Sequence, residues 1–156
     1  MPAAPPAPDF DPLALEHQVC FPLYAASRAL TASYRPLLAP LGLTYPQYLV
    51  MLVLWERGTV PVGALGAALR LDSGTLSPLL KRLEAAGLVE RRRSTEDERV
   101  VHAQLTTAGR ELRAAAQDVP RRIAETTGLD LETLALLRRA CDALLQHTDD
   151  READPA

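Results

Sequence analysis

Three observations predict a mainly α-helical chain with a helix-turn-helix backed by a short β-ribbon. Leucine and alanine make up about a third of the 156 residues, whereas aromatic residues are only 4%; that composition favours helices over a β-sandwich. Apolar residues recur at helical spacing over most of the chain, with Gly, Pro and short polar residues marking the ends of each run. Between residues 88 and 105 the pattern changes to two short strand-like segments around a polar turn. The expected fold is therefore a winged helix-turn-helix; the alternative is a generic α-bundle with an added hairpin, against which the hairpin's position just after the fourth helix argues.

Residues 1–12 hold five of the 13 prolines and read as a flexible, extended arm. One domain is expected over 13–147, with a DNA-binding part at about 44–106 and dimerisation helices at about 13–40 and 107–147. An acidic tail, 148–156, completes the chain. The first helix is expected from about Leu13 to Ala39, with Pro22 and Pro36 either kinking or dividing it. Thr44 caps a second helix to Arg57, apolar almost all round and hence buried. A short helix follows from Val62 to Arg70. Asp72 or Ser73 caps the next, which ends at Ala86 before Gly87. Strands are expected at Leu88–Arg92 and Val100–Leu105. Thr106 or Thr107 then opens one helix to about Thr126, and Leu131 to His147 forms the last.

Composition excludes several classes of function. No apolar run approaches the ~18 residues of a membrane span, and the N-terminus lacks a basic region followed by an apolar stretch. Two cysteines, Cys20 and Cys141, are too few for a disulfide framework or a structural zinc site. The expectation is a soluble cytoplasmic protein with no metal, no cofactor and no membrane partner. The net charge is −3, yet the stretch from Lys81 to Arg93 has five positive and two negative residues. Local charge decides nucleic-acid binding more than the sum does.

The segment Asp72-Ser-Gly-Thr-Leu-Ser-Pro-Leu-Leu-Lys-Arg-Leu-Glu has the character of a recognition helix. Leu76, Leu79, Leu80 and Leu83 form an inward stripe. Ser73, Thr75 and Ser77 place short hydroxyls on the N-terminal half, the part that meets base edges in a major groove. Lys81 and Arg82 lie a turn further on, placed for phosphates. Taken alone, these residues also read as helix caps and a solvated face. Arg91 and its neighbours at the strand end, with Arg99 beyond the turn, favour DNA. The acidic turn Glu96-Asp97-Glu98 is unusual on a phosphate-facing wing. One arrangement pairs Asp97 with Arg99 and sends the guanidinium into a minor groove.

All four tyrosines lie within residues 24–48, and Cys20 precedes them. Tyr24 shares a helical face with Cys20. Tyr34 lies ~21 Å further along a continuous helix, out of reach of Cys20 in its own chain but within reach of a partner's in an antiparallel pair of first helices. Tyr45 opens the next helix and is placed to join the same pocket. This spacing suggests a two-fold dimer with shared sites. A phenol donating to a thiolate stabilises the anion, the form that attacks a peroxide. If Pro22 lies in the first turn of its helix, Cys20 sits at the positive helix end; if Asp11 and Pro12 begin the helix, that contribution vanishes. The plain alternative is a buried apolar cysteine among core tyrosines.

The chain resembles the MarR family of winged-helix repressors, and within it the organic hydroperoxide sensors. The matching stretches are Gln18-Val-Cys-Phe-Pro-Leu-Tyr-Ala-Ala-Ser-Arg, Leu41-Gly-Leu-Thr-Tyr-Pro-Gln-Tyr, the recognition segment from Leu71, and Glu96-Asp-Glu-Arg. The likeness covers roughly residues 13–147. It implies a homodimer that represses a peroxide-detoxifying gene on a double-stranded DNA operator, with an organic hydroperoxide as signal. Cys20 matches the peroxidatic cysteine, and Tyr34 and Tyr45 match the tyrosines that hydrogen-bond it from the partner subunit. Tyr24 matches a pocket residue, and Asp97 and Arg99 match the wing pair. Two-cysteine members carry a resolving cysteine near the position of Ala124 or Glu125; here there is none, which favours capping by a small cellular thiol. Cys141 is read as core. Pro22 departs from the apolar residue expected there.

Two other functions compete with this one. A MarR-type repressor released by a non-oxidising small aromatic ligand would leave Cys20 incidental. A thiol peroxidase is disfavoured, because only Arg28 lies near Cys20 in sequence to bind a peroxide and no resolving cysteine is evident.

Overall fold

The computed structural model describes residues 11–153, with side chains to Asp149. Most of the expected arm (1–10) and the end of the acidic tail (154–156) lie outside the described residues. The chain divides into two compact units, one up to Val119 and one from Pro120.

In the first unit a 3-10 turn at Leu15–His17 precedes α1, Cys20–Leu38. The first helix thus starts later than the sequence suggested. Pro22 lies in its first turn, where a missing N–H costs nothing. Pro36 lies inside, near the C-terminal end, and does not divide it. After a second 3-10 turn, Ala39–Leu41, helix α2 spans Tyr45–Arg57. Its start follows the expected chemistry: the Gln47 side-chain oxygen accepts the Thr44 main-chain N–H at 2.8 Å, and Pro46 occupies the first turn. Tyr48, Val50, Met51, Val53 and Leu54 are buried. This helix is the hub of the unit, packing against α1 and the elements described next.

The short helix α3, Val62–Leu69, leads through Arg70 and Leu71 into α4, Ser73–Ala85. The connection is tight. Leu71 donates its N–H to the Gly66 carbonyl at 2.9 Å, and a Cβ on Gly66 would stand 2.9 Å from the Leu71 oxygen. Asp72 caps α4, its carboxylate accepting the Thr75 N–H at 2.7 Å. Leu76, Leu79, Leu80 and Leu83 are buried, as the apolar stripe predicted.

Strands β2, Val89–Arg93, and β3, Val101–Leu105, pair antiparallel with Val89 opposite Leu105 and Arg93 opposite Val101. A strand absent from the sequence reading, β1 (Val60–Pro61), adds to the other edge of β3, giving the order β1-β3-β2. The ribbon is therefore a three-stranded sheet. Thr106 caps α5, Thr107–Ala116, accepting the Gly109 N–H at 3.0 Å.

The helix expected from Thr106 to Thr126 is two helices. Helix α5 ends at Ala116, and α6 spans Val119–Thr127. Pro120 explains the break: it has no N–H to offer the preceding turn, and its ring disfavours helical geometry before it. In the second unit, Asp130 accepts the Thr133 N–H at 2.7 Å and opens α7, which spans Leu131–Ala153. That helix runs past His147, so the start of the acidic segment is helical. Arg, Glu and Ala in that segment are residues a helix accepts readily. No single described helix is long and apolar enough to cross a membrane.

Candidate nucleic-acid interface and cysteine site

Helix α4 lies after a tight turn from α3, with its leucines inward, and therefore presents Ser73, Thr75, Ser77, Lys81 and Arg82 outward; all five are exposed. The three hydroxyl residues are not equivalent. Thr75 donates its hydroxyl to the Asp72 carboxylate at 3.2 Å and so helps to build the cap. These two bonds, main-chain first, hold the Asp72 carboxyl below the usual carboxylate range. Ser73, Ser77 and Lys81, with Gly74 and Pro78, line a shallow concavity of about 530 Å³ whose far side is Arg91 of β2. The sheet thus returns to the outward face of the recognition helix.

Arg91 reaches that face already engaged. Its Nη2 and Nε donate to Glu84 Oε2 at 2.7 and 3.0 Å, and its main-chain N–H donates to Oε1 at 3.1 Å. The hydrogen bonds to Arg91 hold the Glu84 carboxyl below its ordinary value, and the same bonds raise the Arg91 guanidinium. Arg92 pairs with Glu90 at 3.0 Å, and Glu90 also accepts from Gln104. At the wing tip Ser94 Oγ accepts the N–H groups of Glu96 and Asp97. Asp97 accepts the Arg99 main-chain N–H at 2.9 Å. The anticipated Asp97–Arg99 relation thus runs through the backbone, and the Arg99 side chain is exposed.

Cys20 is the first residue of α1 and is exposed. Tyr24, one turn on, stacks under Arg28, with the cation 5.5 Å from the ring centre, and accepts from Arg28 Nη1 at 3.2 Å. Arg28 therefore serves Tyr24. Because α1 is continuous from Cys20 to Leu38, Tyr34 is ~21 Å along the axis from Cys20 of the same chain. Tyr34 instead meets Tyr45, with ring centres 4.6 Å apart, and Tyr48 at 6.0 Å. Tyr48 continues to Trp55 at 6.2 Å. Burial raises the Tyr34, Tyr45 and Tyr48 phenols, and for Tyr34 the neighbouring phenols add to the effect. Tyr48 was not singled out from the sequence. Its place in an all-apolar helix hid it, and only its spacing of three residues from Tyr45 hinted at a shared face. Beside Tyr45 is a cavity of about 300 Å³ lined by Thr31, Arg35, Thr44 and Pro46 among others. Cys141 is half-buried on α7.

A helix-turn-helix with an arginine-bearing sheet folded over its second helix defines a winged-helix DNA-binding protein. The sequence profile of the SarA/Rot transcriptional regulators matches residues 32–115. The chain is 49% identical to the organic hydroperoxide resistance transcriptional regulator of Bacillus subtilis over 137 residues, 88% of this chain and 93% of that one. Its fold is similar to that of reduced AbfR bound to DNA, a protein of Staphylococcus epidermidis, with a TM-score of 0.72 and 34% identity over 86% of this chain and 93% of that one. MarR of Escherichia coli shares the fold with a TM-score of 0.63, at 24% identity over 82% and 97% of the two chains. The chain belongs to the MarR/SarA family of winged-helix transcriptional regulators, in the branch of the organic hydroperoxide regulators. It is a DNA-binding regulator and not an enzyme.

Proposed function

We propose that this regulator is a homodimeric repressor whose operator is released when an organic hydroperoxide oxidises Cys20. The observation that carries the reading is the separation of Cys20 from the Tyr34–Tyr45 pair by a single unbroken helix. A cysteine at one end of α1 and paired phenols at the other form a site only when a second copy brings its tyrosines to the thiol. Exposed apolar side chains support the pairing: Val19, Phe21 and Leu30 in the first unit, and Leu136, Leu137 and Leu144 in the second. The reactive centre is then Cys20, with Tyr34 and Tyr45 of the partner subunit donating to its sulfur and Tyr24 bordering it.

In the chemical step the thiolate attacks the outer peroxide oxygen. An S–O bond forms, the O–O bond breaks, and the alcohol leaves after taking up a proton; sulfur is oxidised to the sulfenic acid. A small cellular thiol then condenses with the sulfenic acid, giving a mixed disulfide and water. The added group occupies the space of the tyrosine contacts and shifts the paired helices, and through them the two α4 helices. On DNA, Ser73, Ser77 and Thr75 face the major groove, Lys81 and Arg82 meet phosphates, and Arg99, set by Asp97, enters the minor groove.

The test is a fluorescence-anisotropy titration at fixed salt, using a duplex enriched from random sequence by the reduced protein. Stoichiometric cumene hydroperoxide should abolish tight binding and a reducing thiol should restore it; Cys20→Ser should bind and not release. Normal release by Cys20→Ser overturns the reading. A second reading, release by a small aromatic acid, rests on the cavity beside Tyr45 with Arg35 in its wall; it predicts ligand-dependent release that survives Cys20→Ser.

A further inference from the structure

The Glu84–Arg91 contact joins the two elements that the proposed interface presents to DNA. Glu84 stands on the last turn of α4, and Arg91 is the third residue of β2. The carboxylate takes two guanidinium bonds and the main-chain N–H of the same residue. A main-chain bond fixes the strand itself and not only a side chain. The side chains are partly exposed, 36% for Arg91 and 28% for Glu84, so neither is spent on the core.

We propose that Glu84 is a positioning residue for DNA binding: it clamps the wing to the recognition helix through Arg91 and keeps that guanidinium off the phosphates. The inference rests on the interface reading above and departs from it on Arg91, which the sequence placed among the DNA contacts. Glu84 is an anion on the face of a helix that meets a polyanion. By charge alone it weakens binding, and its removal should strengthen it. As a clamp it does the opposite, because the groove between α4 and the sheet loses its width and the wing its angle. Among the described residues, Glu84 and Glu90 match Arg91 and Arg92, which leaves Lys81, Arg82 and Arg93 as the cations of this stretch for phosphates.

The test measures affinity against salt for the full chain on the selected duplex, with Glu84→Gln, Arg91→Gln, Arg91→Lys, the Glu84→Gln/Arg91→Gln pair, and Lys81→Ala as reference. A phosphate contact contributes about 0.9 to the slope of log K against log salt. A clamp contributes affinity without slope. We expect Glu84→Gln and Arg91→Gln each to weaken binding about tenfold with the slope unchanged, and the double variant to be no weaker than the worse single. Arg91→Lys should behave like Arg91→Gln, since an ammonium cannot make the forked contact. Lys81→Ala should lower the slope by about 0.9 per chain. Tighter binding by Glu84→Gln, or a slope lowered in Arg91→Gln and kept in Arg91→Lys, overturns the clamp and returns Arg91 to the phosphates. An unchanged slope in Lys81→Ala removes α4 from the DNA, and the clamp's role falls with it.

Discussion

Trp55 of α2 donates its indole N–H to the carbonyl oxygen of Gly109 on α5, at 2.8 Å. The acceptor belongs to a crowded junction. A Cβ on Gly109 would collide with the Leu88 carbonyl, which itself accepts the Thr106 N–H at 3.1 Å. Gly109→Ala must therefore push α5 from the start of β2. We expect a loss of at least about 2 kcal/mol of stability, read as a lowered urea midpoint. Trp55→Phe loses the bond and part of the indole's packing, at a smaller cost of about 1–1.5 kcal/mol. Equal effects from the two variants would contradict this account.

Thr106 serves the same junction twice, accepting from Gly109 and donating its hydroxyl to the Gly87 carbonyl at 2.6 Å. Thr106→Ala removes the cap and that second bond. A loss of about 1–2 kcal/mol is expected, with Thr106→Ser recovering most of it. Thermal melting of the three proteins settles the point.

The shared-site reading makes a prediction about mixed dimers. If the tyrosines serve the partner's Cys20, a dimer with Cys20→Ser in one chain and Tyr34→Phe/Tyr45→Phe in the other keeps one complete site. Its remaining thiol should react with cumene hydroperoxide at the normal rate. With all three substitutions in one chain, the remaining thiol faces phenylalanines, and its rate should fall about tenfold or more. Stopped-flow rates that do not depend on this arrangement would show that the tyrosines serve no partner.

At the wing tip, charge and conformation predict opposite effects. Asp97 accepts the Arg99 N–H through its carboxylate, and its carbonyl accepts the Val100 N–H, both at 2.9 Å. Asp97→Ala removes a negative charge near DNA, which alone would tighten binding. It also unlocks the turn that presents Arg99. We expect the second effect to dominate, weakening binding about fivefold to tenfold at fixed moderate salt. Tighter binding by Asp97→Ala in anisotropy titrations would mean that its charge outweighs the turn it holds, and unchanged binding would mean that the tip does not approach DNA.

Local chemistry made much of this fold readable. Helix α4 was legible because Asp72 and Gly87 bracket a leucine stripe of helical period, and α2 because Thr44, Pro46 and Gln47 together spell a helix start. What escaped depends on distant partners. Strand β1 is two residues long and exists through pairing with Ala103 and His102, so it has no period to detect. The break before α6 was hidden because the apolar spacing carries through Pro120. The Glu84–Arg91 contact was invisible because seven residues separate its ends and only the return of β2 across α4 brings them together. The candidate cysteine site was half legible: spacing placed Tyr34 out of reach of Cys20, but not Tyr48 against Tyr34.

That aromatic cluster gives the stability of the protein a pH dependence of known sign. Burial first, and for Tyr34 the adjoining phenols next, raise Tyr34, Tyr45 and Tyr48 above their ordinary value in the folded state. Unfolding returns them to that value, near about 10. A raised folded value means the folded state holds the proton more tightly. The contribution is fully present below about pH 10 and is lost as pH rises through the folded values. The urea midpoint should accordingly hold steady on the alkaline side of neutrality and fall above about pH 10. Tyr34→Phe removes the phenol that Tyr45 and Tyr48 both raise, so its alkaline decline should be shallower, and spectrophotometric titration should lose one of the three raised phenols. An identical alkaline decline in Tyr34→Phe would place the titration outside this cluster.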